Sequence, residues 1–384
     1  MGSHTNGPSD VDRRINYILQ TQVDKAHMRR KSKLFIDWSA FLCDYGKSPL
    51  TATPEDLLRF LVSRDKKGKT RVHVYTCPQI GLYPQTCDCP KRLRAKTVHG
   101  MVSNLNVQYE YLYGHGVYLP GKDHRVKMFV DGLFQEQAIG RVLPRQATPM
   151  FLDKLRPMLC HLKELSCMRS LKLSVRFNAL RDNAFFSMQY FAGDRCSDLL
   201  NTLTKDIKVL PGVGLRISHF WGKVNRGTTP PTILTIPVVS ELALCPVRAL
   251  YRYVHGAASM NIDLSNGYLF RHSDQSGGVV AGPAGYDKMY YHLKKVMTEL
   301  GIQDGETPHS LRAGSTISLV ATEATALEIM HHMGWKTQKM LEHYARTATC
   351  ARSRLAARIA EPQVERAALQ AQQDMSVSNL KHAF

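Results

Sequence analysis

The stretch from Thr307 to Arg346, TPHSLRAGSTISLVATEATALEIMHHMGWKTQKMLEHYAR, gathers residue types that can do chemistry on a phosphate. An imidazole can move a proton, a guanidinium can hold anionic oxygens, and a phenol oxygen can attack as a nucleophile. His309 and Arg312 are three residues apart, so on a helix they share one face. Thr307 suits the cap of that helix and Pro308 its first position, which puts both side chains near the positive helix end. Gly334 suits the end of a helix carrying Leu327 and Met330, and Trp335 follows at once. Thr337 suits the cap of a last helix with Met340 and Tyr344 on one face. Each residue alone has an ordinary explanation. A His-x-x-Arg pair is usually a surface pair, and a lone Trp or Tyr on a helix is normally core.

Composition says what such a segment would act on. Lys and Arg number 51 against 32 Asp and Glu, a formal charge of +19 over 384 residues. With a pI near 9.6 the natural partner is a polyanion, most often nucleic acid, although ribosomal or membrane-surface proteins share that balance. The length suits about two or three domains of ~100–200 residues. Hydrophobic residues make up 43%, enough for packed cores rather than disorder. No apolar run reaches the ~18 residues of a membrane span. Residues Met1 to Asp10 are polar and lack the apolar core of a secretion signal, so an intracellular protein is expected. Nine unevenly spaced cysteines then read as reduced thiols or metal ligands rather than a disulfide framework.

The spacing brings the separate residues together. Trp335 lies 23 residues after Arg312, and Tyr344 nine after Trp335. H-x-x-R, then G-[HW], then this tyrosine resembles the C-terminal signature of the tyrosine recombinases, the phage integrase family. Two upstream blocks extend the resemblance. The family's G-x-R-x-[ST]-[ED]-L-x-x-L context is matched by GDRCSDLLNTL, giving Arg195, with Asp198 as acidic support. The family's lysine in a β-hairpin turn is matched in ISHFWGKVNRGTTPPTILTIP, giving Lys223, with Lys208 a rival inside the preceding strand-like run. The match covers about residues 165–350. Trp335 stands where many members carry histidine, a variation found in some phage recombinases.

The resemblance implies roles for these residues. Tyr344 would attack a DNA phosphodiester and hold the phosphate as a 3′-phosphotyrosine. Arg195 and Arg312 would hold the non-bridging oxygens of the transition state. Lys223 would protonate the leaving 5′-oxygen, and His309 would accept the tyrosine proton or orient the phosphate. Trp335 would pack under the site and donate its indole N–H. Asp198 would steady the arrangement. No cofactor is required for this catalysis, and the chain shows neither a GxxxxGK[ST] loop nor a dense carboxylate cluster for two-metal work.

A second cluster, HVYTCPQIGLYPQTCDCPKRLRAKTVHG, gathers His73, Cys77, Cys87 and Cys89, with His99 an alternative ligand. Cys/His sets this dense often bind zinc tetrahedrally, although free thiols need no metal. Its CDCPKRLRAKTV portion resembles recombinases of eukaryotic mobile elements of the Crypton and DIRS-like groups. Basic clusters occupy Arg29, Arg30, Lys31 and Lys33, then Lys66, Lys67, Lys69 and Arg71, then Lys91, Arg92, Arg94 and Lys96. Each alone could be a solvated surface, but three in one half of the chain favour a surface that grips a DNA backbone.

These residues must be positioned by elements. One helix is expected from Val11 to Tyr45. Others follow in PEDLLRFLVSRD, in KTVHGMVSNLNVQYEYLY up to Gly114, in HRVKMFVDGLFQEQAIG and in PMFLDKLRPMLCHLKEL. Past residue 165 a helix through NAFFSMQYFAG precedes the β-rich runs DIKVL, VGLRISHFW and TILTIPV. Helices in CPVRALYRYVHGA and GYDKMYYHLKKVMTELG come next. A boundary is expected in residues 144–170, where Pro144, Pro149 and Pro157 interrupt the pattern. The fold class is therefore mainly α with a small β-sheet or hairpin. A basic helical core-binding domain over 1–160 would precede an α+β catalytic domain over 161–350. A C-terminal helix and tail, 351–384, would dock on a neighbouring subunit.

The expected function is site-specific DNA recombination for integration or excision of a mobile element. The partners would be double-stranded DNA, clamped between the two domains, and a homo-tetramer on paired sites. Location would be nuclear in a eukaryote, or cytoplasmic with the nucleoid in a prokaryote. Two other readings share these features: a type IB topoisomerase with the same chemistry, and a domesticated protein that binds DNA without recombining it.

Overall fold

The computed structural model describes residues 10–21, 25–80, 86–142, 147–220, 230–274, 276–322 and 324–345. The chain divides into two compact units, Met1–Arg145 and Gln146–Phe384. The C-terminal segment expected over 351–384 lies outside the described residues, as does Pro144.

The first unit is built from α1 (Asp10–Thr21), α2 (Lys25–Cys43), α3 (Pro54–Asp65), β1 (Thr70–Arg71), β2 (Lys91–Arg92), α4 (Ala95–Tyr113) and α5 (His124–Ile139). Of the helix expected over 11–45, α1 and α2 are helical, and residues 22–24 between them lie outside the described residues. Val11, Ile15 and Ile18 of α1 are exposed, whereas Phe35, Trp38 and Leu42 of α2 enter the core. There they meet Leu57, Phe60 and Leu61 of α3, Val98, Leu105 and Tyr109 of α4, and Val126 and Val130 of α5. The polar tips of Trp38 and Tyr109 are satisfied. Trp38 Nε1 donates to Tyr109 Oη at 2.9 Å, and that hydroxyl donates to the Pro49 carbonyl at 2.9 Å. Thr53 caps α3, with Pro54 at its first position and Asp56 accepting from the Thr53 N–H. Buried Gln137 of α5 accepts from the Ala95 N–H and donates to the Leu93 carbonyl, fixing where α4 begins.

In the second unit, α6 (Leu152–Cys167) and α7 (Leu173–Ala192) precede α8 (Cys196–Leu200). Pro157, read from the sequence as an interruption, lies inside α6. Its lost hydrogen bond is tolerated because Leu155, Met158, Leu159 and Leu162 on either side are buried. Helix α7 is buried nearly all round from Phe177 to Tyr190, the pattern of a central core helix. Its buried polar residues join it to its neighbours. Asn183 donates to the Leu159 carbonyl, Ser187 to the Leu244 carbonyl and Gln189 to the Pro308 carbonyl.

An antiparallel sheet follows, in the order β3 (Ile207–Leu210), β4 (Gly214–His219), β5 (Thr232–Pro237). Its inward-facing Leu215, Ile217, Leu234 and Ile236 join the core around α7. Then come α9 (Pro246–Ser259), the hairpin β6 (Arg271–Ser273) and β7 (Val279–Pro283), α10 (Tyr286–Glu299), α11 (Pro308–Ala321), α12 (Ala326–His332) and α13 (Gln338–Ala345). The β6–β7 hairpin has no counterpart in the sequence reading, since its runs are short, three and five residues. The result is mainly helical with small antiparallel sheets, as the sequence implied.

Helix α11 is seated on backbone. The Met150 N–H donates to the Ser310 carbonyl at 2.9 Å, and a Cβ on Gly314 would lie 1.6 Å from the Met150 carbonyl oxygen. Gly314→Ala must therefore displace main chain. We expect it to lower stability by at least about 1–3 kcal/mol, the ordinary cost of overpacking. Urea unfolding measures this, and an unchanged midpoint would contradict the contact.

Candidate functional site

The residues singled out near the C-terminus converge on the N-terminal end of α11. Thr307 precedes that helix, and its N–H donates to Ser310 Oγ at 2.9 Å. His309 is exposed on the first turn, and Arg312, one turn on, is 2% exposed. The Arg312 guanidinium donates to the Gly193 carbonyl and, at 3.1 Å, to the Met333 carbonyl. Its centre also lies 5.5 Å from the centre of the Trp335 ring. Burial lowers the pKa of Arg312, and the charge of Arg195 lowers it further. An arginine nevertheless stays charged at any working pH.

Glycines make this possible. Gly193 ends α7 in the left-handed conformation, φ +57°, which turns its carbonyl toward Arg312. A Cβ there would come within 2.3 Å of Met333 Sδ. Gly334, φ +62°, turns the chain after α12 and delivers Trp335. The Trp335 ring stacks on Tyr344 with centroids 5.4 Å apart and planes 7° apart. Its Nε1 is buried without a hydrogen-bond partner among the described residues, a donor that an anion could engage.

Tyr344 lies on α13, 5% exposed, packed with Ala313, Ile329, Met333, Trp335 and Leu341. Leu341, rather than the exposed Met340, shares its buried face. Tyr344 Oη is 2.9 Å from His309 Nε2, within hydrogen-bond distance. Burial raises the Tyr344 pKa, while the charges of Arg312 and Arg195 pull it down, and the net direction is upward. The hydroxyl therefore keeps its proton near neutrality and needs a base to take it, the position His309 occupies.

Arg195 begins at the loop after α7, half-buried, with Nη1 3.3 Å from Asp198 Oδ2. That supports the expected pairing of Asp198 with the first arginine. Lys223 and the rest of 221–229 lie outside the described residues, whereas the rival Lys208 is on β3, paired with Arg216 across the sheet. The sequence reading missed Asp194 and His219. Asp194 Oδ1 accepts the Arg195 N–H at 2.7 Å, and Asp194 Oδ2 lies 2.7 Å from His219 Nε2. The only trace of this pair in the sequence is an acidic residue just before the arginine and a histidine closing a strand-like run. The chemical capacity of the site is thus a phenol beside an imidazole, with two guanidiniums and an indole N–H able to gather anionic oxygens.

In the first unit, His73, Cys77, Cys87 and Cys89 place one ligand atom each within 4.8 Å of one another. His73 Nδ1 lies 3.2 Å from Cys77 Sγ and 3.3 Å from Cys87 Sγ. Three thiols and an imidazole suit tetrahedral zinc, and His73 and Cys77 are buried. His99 stands outside the group, exposed on α4 and edge-on to Phe134.

Next to this group β1 pairs with β2, Thr70 opposite Arg92 and Arg71 opposite Lys91, so the second and third basic clusters form one surface. A Cβ on Gly68 would meet Arg92 backbone at 1.7 Å, which explains the glycine there. Lys66, Lys67, Lys69, Lys91 and Lys96 are exposed. Two half-buried members of the set also bond within the fold. Arg71 donates to the Cys87 carbonyl, and Arg92 pairs with Asp65 at 3.3 Å. Arg94, half-buried, caps α4 by its backbone. Lys33 is exposed and Lys31 half-buried, while the side chains of Arg29 and Arg30 lie outside those described.

Comparison with known proteins gives one match in the first unit and others over most of the chain. Residues 20–133 match the model of the ALOG domain. Over 123 residues the chain is 28% identical to Protein LIGHT-DEPENDENT SHORT HYPOCOTYLS 6 of Arabidopsis thaliana, covering 30% of this chain and 63% of that one. Over 346 residues it is 21% identical to an integrase/recombinase xerD homolog of Selenomonas ruminantium, covering 88% of each. Among solved structures it is similar to a lambda integrase (75–356) dimer bound to a COC′ core site, with a TM-score of 0.50 and 11% identity. That match covers 87% of this chain and 93% of the other. At that identity the likeness is one of fold, and the chain has the fold of the tyrosine recombinases.

Arg312 carries both structure and site. Arg312→Ala should lose about 1–3 kcal/mol of stability, because two buried carbonyls lose their donor. It should also slow any cleavage of DNA by a factor on the order of 10²–10³, as loss of one transition-state donor does. Urea unfolding and single-turnover cleavage read the two effects, and full stability in the variant would remove Arg312 from its carbonyl contacts.

Proposed function

We propose that this chain is a tyrosine-type site-specific DNA recombinase that cuts and rejoins DNA through a 3′-phosphotyrosine. The observation that carries the reading is the Tyr344 hydroxyl 2.9 Å from His309 Nε2, within the field of Arg312 and Arg195. Tyr344 Oη attacks the scissile phosphorus while its proton passes to His309. The two arginines and the Trp335 indole N–H hold the non-bridging oxygens, where charge accumulates in the transition state. Lys223 protonates the departing 5′-oxygen. The phosphate ester to Tyr344 keeps the bond energy, so a 5′-hydroxyl can reverse the reaction and rejoin strands without a nucleotide or a catalytic metal. The net charge of +19 and the joined basic surface of β1 and β2 support double-stranded DNA as the partner.

The first unit's likeness to a plant protein, together with the Cys/His cluster, favours a mobile element of a eukaryotic host, acting in the nucleus as a tetramer on paired sites. The ALOG-domain likeness of residues 20–133, which precede Arg195, favours as a second reading a DNA-binding protein without recombination activity. A type IB topoisomerase would share the chemistry without joining two DNA molecules.

The test uses duplexes selected from a randomised pool by binding to the protein, then nicked so that the cleaved end departs. The parent should give a protein–DNA adduct on a denaturing gel and Tyr344→Phe none, with binding nearly equal. An adduct in the Phe variant would remove Tyr344 from the role, and binding by the parent without any adduct would favour the second reading.

The Cys/His group would hold a structural zinc through His73 Nδ1 and the Cys77, Cys87 and Cys89 thiolates. Such a metal would fix the loop that ends in β2, because metal binding energy acts as folding energy. We expect about one zinc per chain in untagged protein. Cys87→Ser should lower thermal stability and DNA affinity, with cleavage in bound complexes little changed. Zinc well below one equivalent in protein never exposed to chelator would return these residues to ordinary thiols.

A further inference from the structure

Asp194 is 5% exposed and His219 8%, and neither has a part in the chemistry proposed above. Their pairing has a specific geometry. One oxygen of Asp194 accepts the Arg195 N–H at 2.7 Å, and the other lies 2.7 Å from His219 Nε2. The carboxylate thus bridges the end of β4 to the peptide that carries Arg195. On the other side of Asp194, the Gly193 carbonyl receives Arg312. Residues 193–195 are therefore a joint on which both arginines hang, and His219 is the group that holds it from the sheet.

We propose that His219 is a positioning residue for Arg195, fixing its peptide through the Asp194 carboxylate, and doing so most firmly when both ring nitrogens carry protons. The proposal rests on the strand-cleavage reading. A hydrogen bond between two charged partners is roughly twice as strong as a neutral one, so the proton on His219 tightens the joint. The surroundings favour that proton. Asp194 and Asp198 face the ring from the α7–α8 region and Asp206 from the helical turn before β3. Arg195 meets Asp194 only through its backbone N–H, its side chain turning to Asp198. Opposite His219 on β5 stands uncharged Thr232. A cavity of about 400 Å³ beside the ring is lined by Asn201, Thr202, Asp206 and Tyr268. Arg216 and its cross-strand partner Lys208 lie an odd number of residues away along the ladder, on the other face of the sheet. Burial alone would lower the His219 pKa, but the bond to Asp194 and the three carboxylate charges raise it above the ordinary 6.5. A raised pKa means the paired form is complete at low pH and is lost as pH rises through that raised value.

The experiment is single-turnover cleavage of the selected nicked duplex at saturating protein, followed across the histidine range. His219→Ala should cut the rate on the order of 10²-fold, the cost of misplacing a reacting group by about 1 Å. His219→Gln keeps an N–H donor without titrating, and should recover at least about one order of magnitude of that loss while erasing the fall in rate above the His219 pKa. Asp194→Asn preserves the shape and the acceptor for the Arg195 N–H, so it keeps the fold readable, and it too should flatten the profile. A bridging 5′-phosphorothiolate, which needs no acid, should leave the His219→Ala defect in place, because the arginines hold the non-bridging oxygens whatever the leaving group. Full recovery with that substrate, a Gln variant as poor as Ala, or an unchanged pH limb in the Gln and Asn variants would each overturn the assignment. A parent that forms no adduct would instead sink the recombinase reading, and this one with it.

Discussion

The second unit depends on the burial of one charge. A guanidinium taken out of water is costly unless its donors are all engaged. Arg312 offsets part of that cost with the carbonyls of Gly193 and Met333 and with the face of Trp335. Each partner then imposes its own constraint. The Gly193 carbonyl points correctly only because α7 ends in the left-handed conformation, and Met333 is positioned by the end of α12, where it is the cap before Gly334. His332 Nε2, 3.0 Å from the Phe191 carbonyl, ties the same two helix ends together. Satisfying one arginine thus fixes α7, α11 and α12 around a point, and Tyr344 is stacked on the ring that covers it. A site built this way is organised before any substrate arrives, which is what electrostatic stabilisation of a transition state requires.

The first unit is organised by different means. Its core is aromatic and helical, around Trp38, Phe60 and Tyr109, and the basic loop beyond α3 leaves Val74 and Tyr75 exposed. That loop is held by the short β1–β2 ladder, by Asp65 receiving the Leu93 N–H, and by the convergence of His73, Cys77, Cys87 and Cys89. Residues 20–133 are similar to the ALOG domain, and most of the chain, both units included, is similar to an xerD homolog. The basic unit supplies affinity in the proposed function, and the second unit supplies chemistry.

Much of this was legible in the residues because helix ends have chemical signatures. Thr53-Pro54, Gly114 and Thr307-Pro308 marked real boundaries, and the strand runs after residue 206 paired as antiparallel neighbours. The candidate chemistry was legible because His309, Arg312, Trp335 and Tyr344 are close in sequence. What failed did so for tertiary reasons. Pro157 suggested a break that buried leucines on both sides override, and β6 and β7 are too short to show a period. The Asp194–His219 pair spans 25 residues and two elements, so no local pattern could reveal it. Arg71 and Arg92, read as DNA contacts, also bond within the fold, to the Cys87 carbonyl and to Asp65.

The central claim is that Tyr344 carries DNA as a covalent ester. The most direct measurement is mass mapping of the linked residue after trapping the parent on a nicked duplex and digesting both protein and DNA. The account predicts a nucleotide joined through its 3′-phosphate to the tyrosine of the peptide containing Tyr344. A nucleotide on any other residue, or joined through a 5′-phosphate, would contradict it.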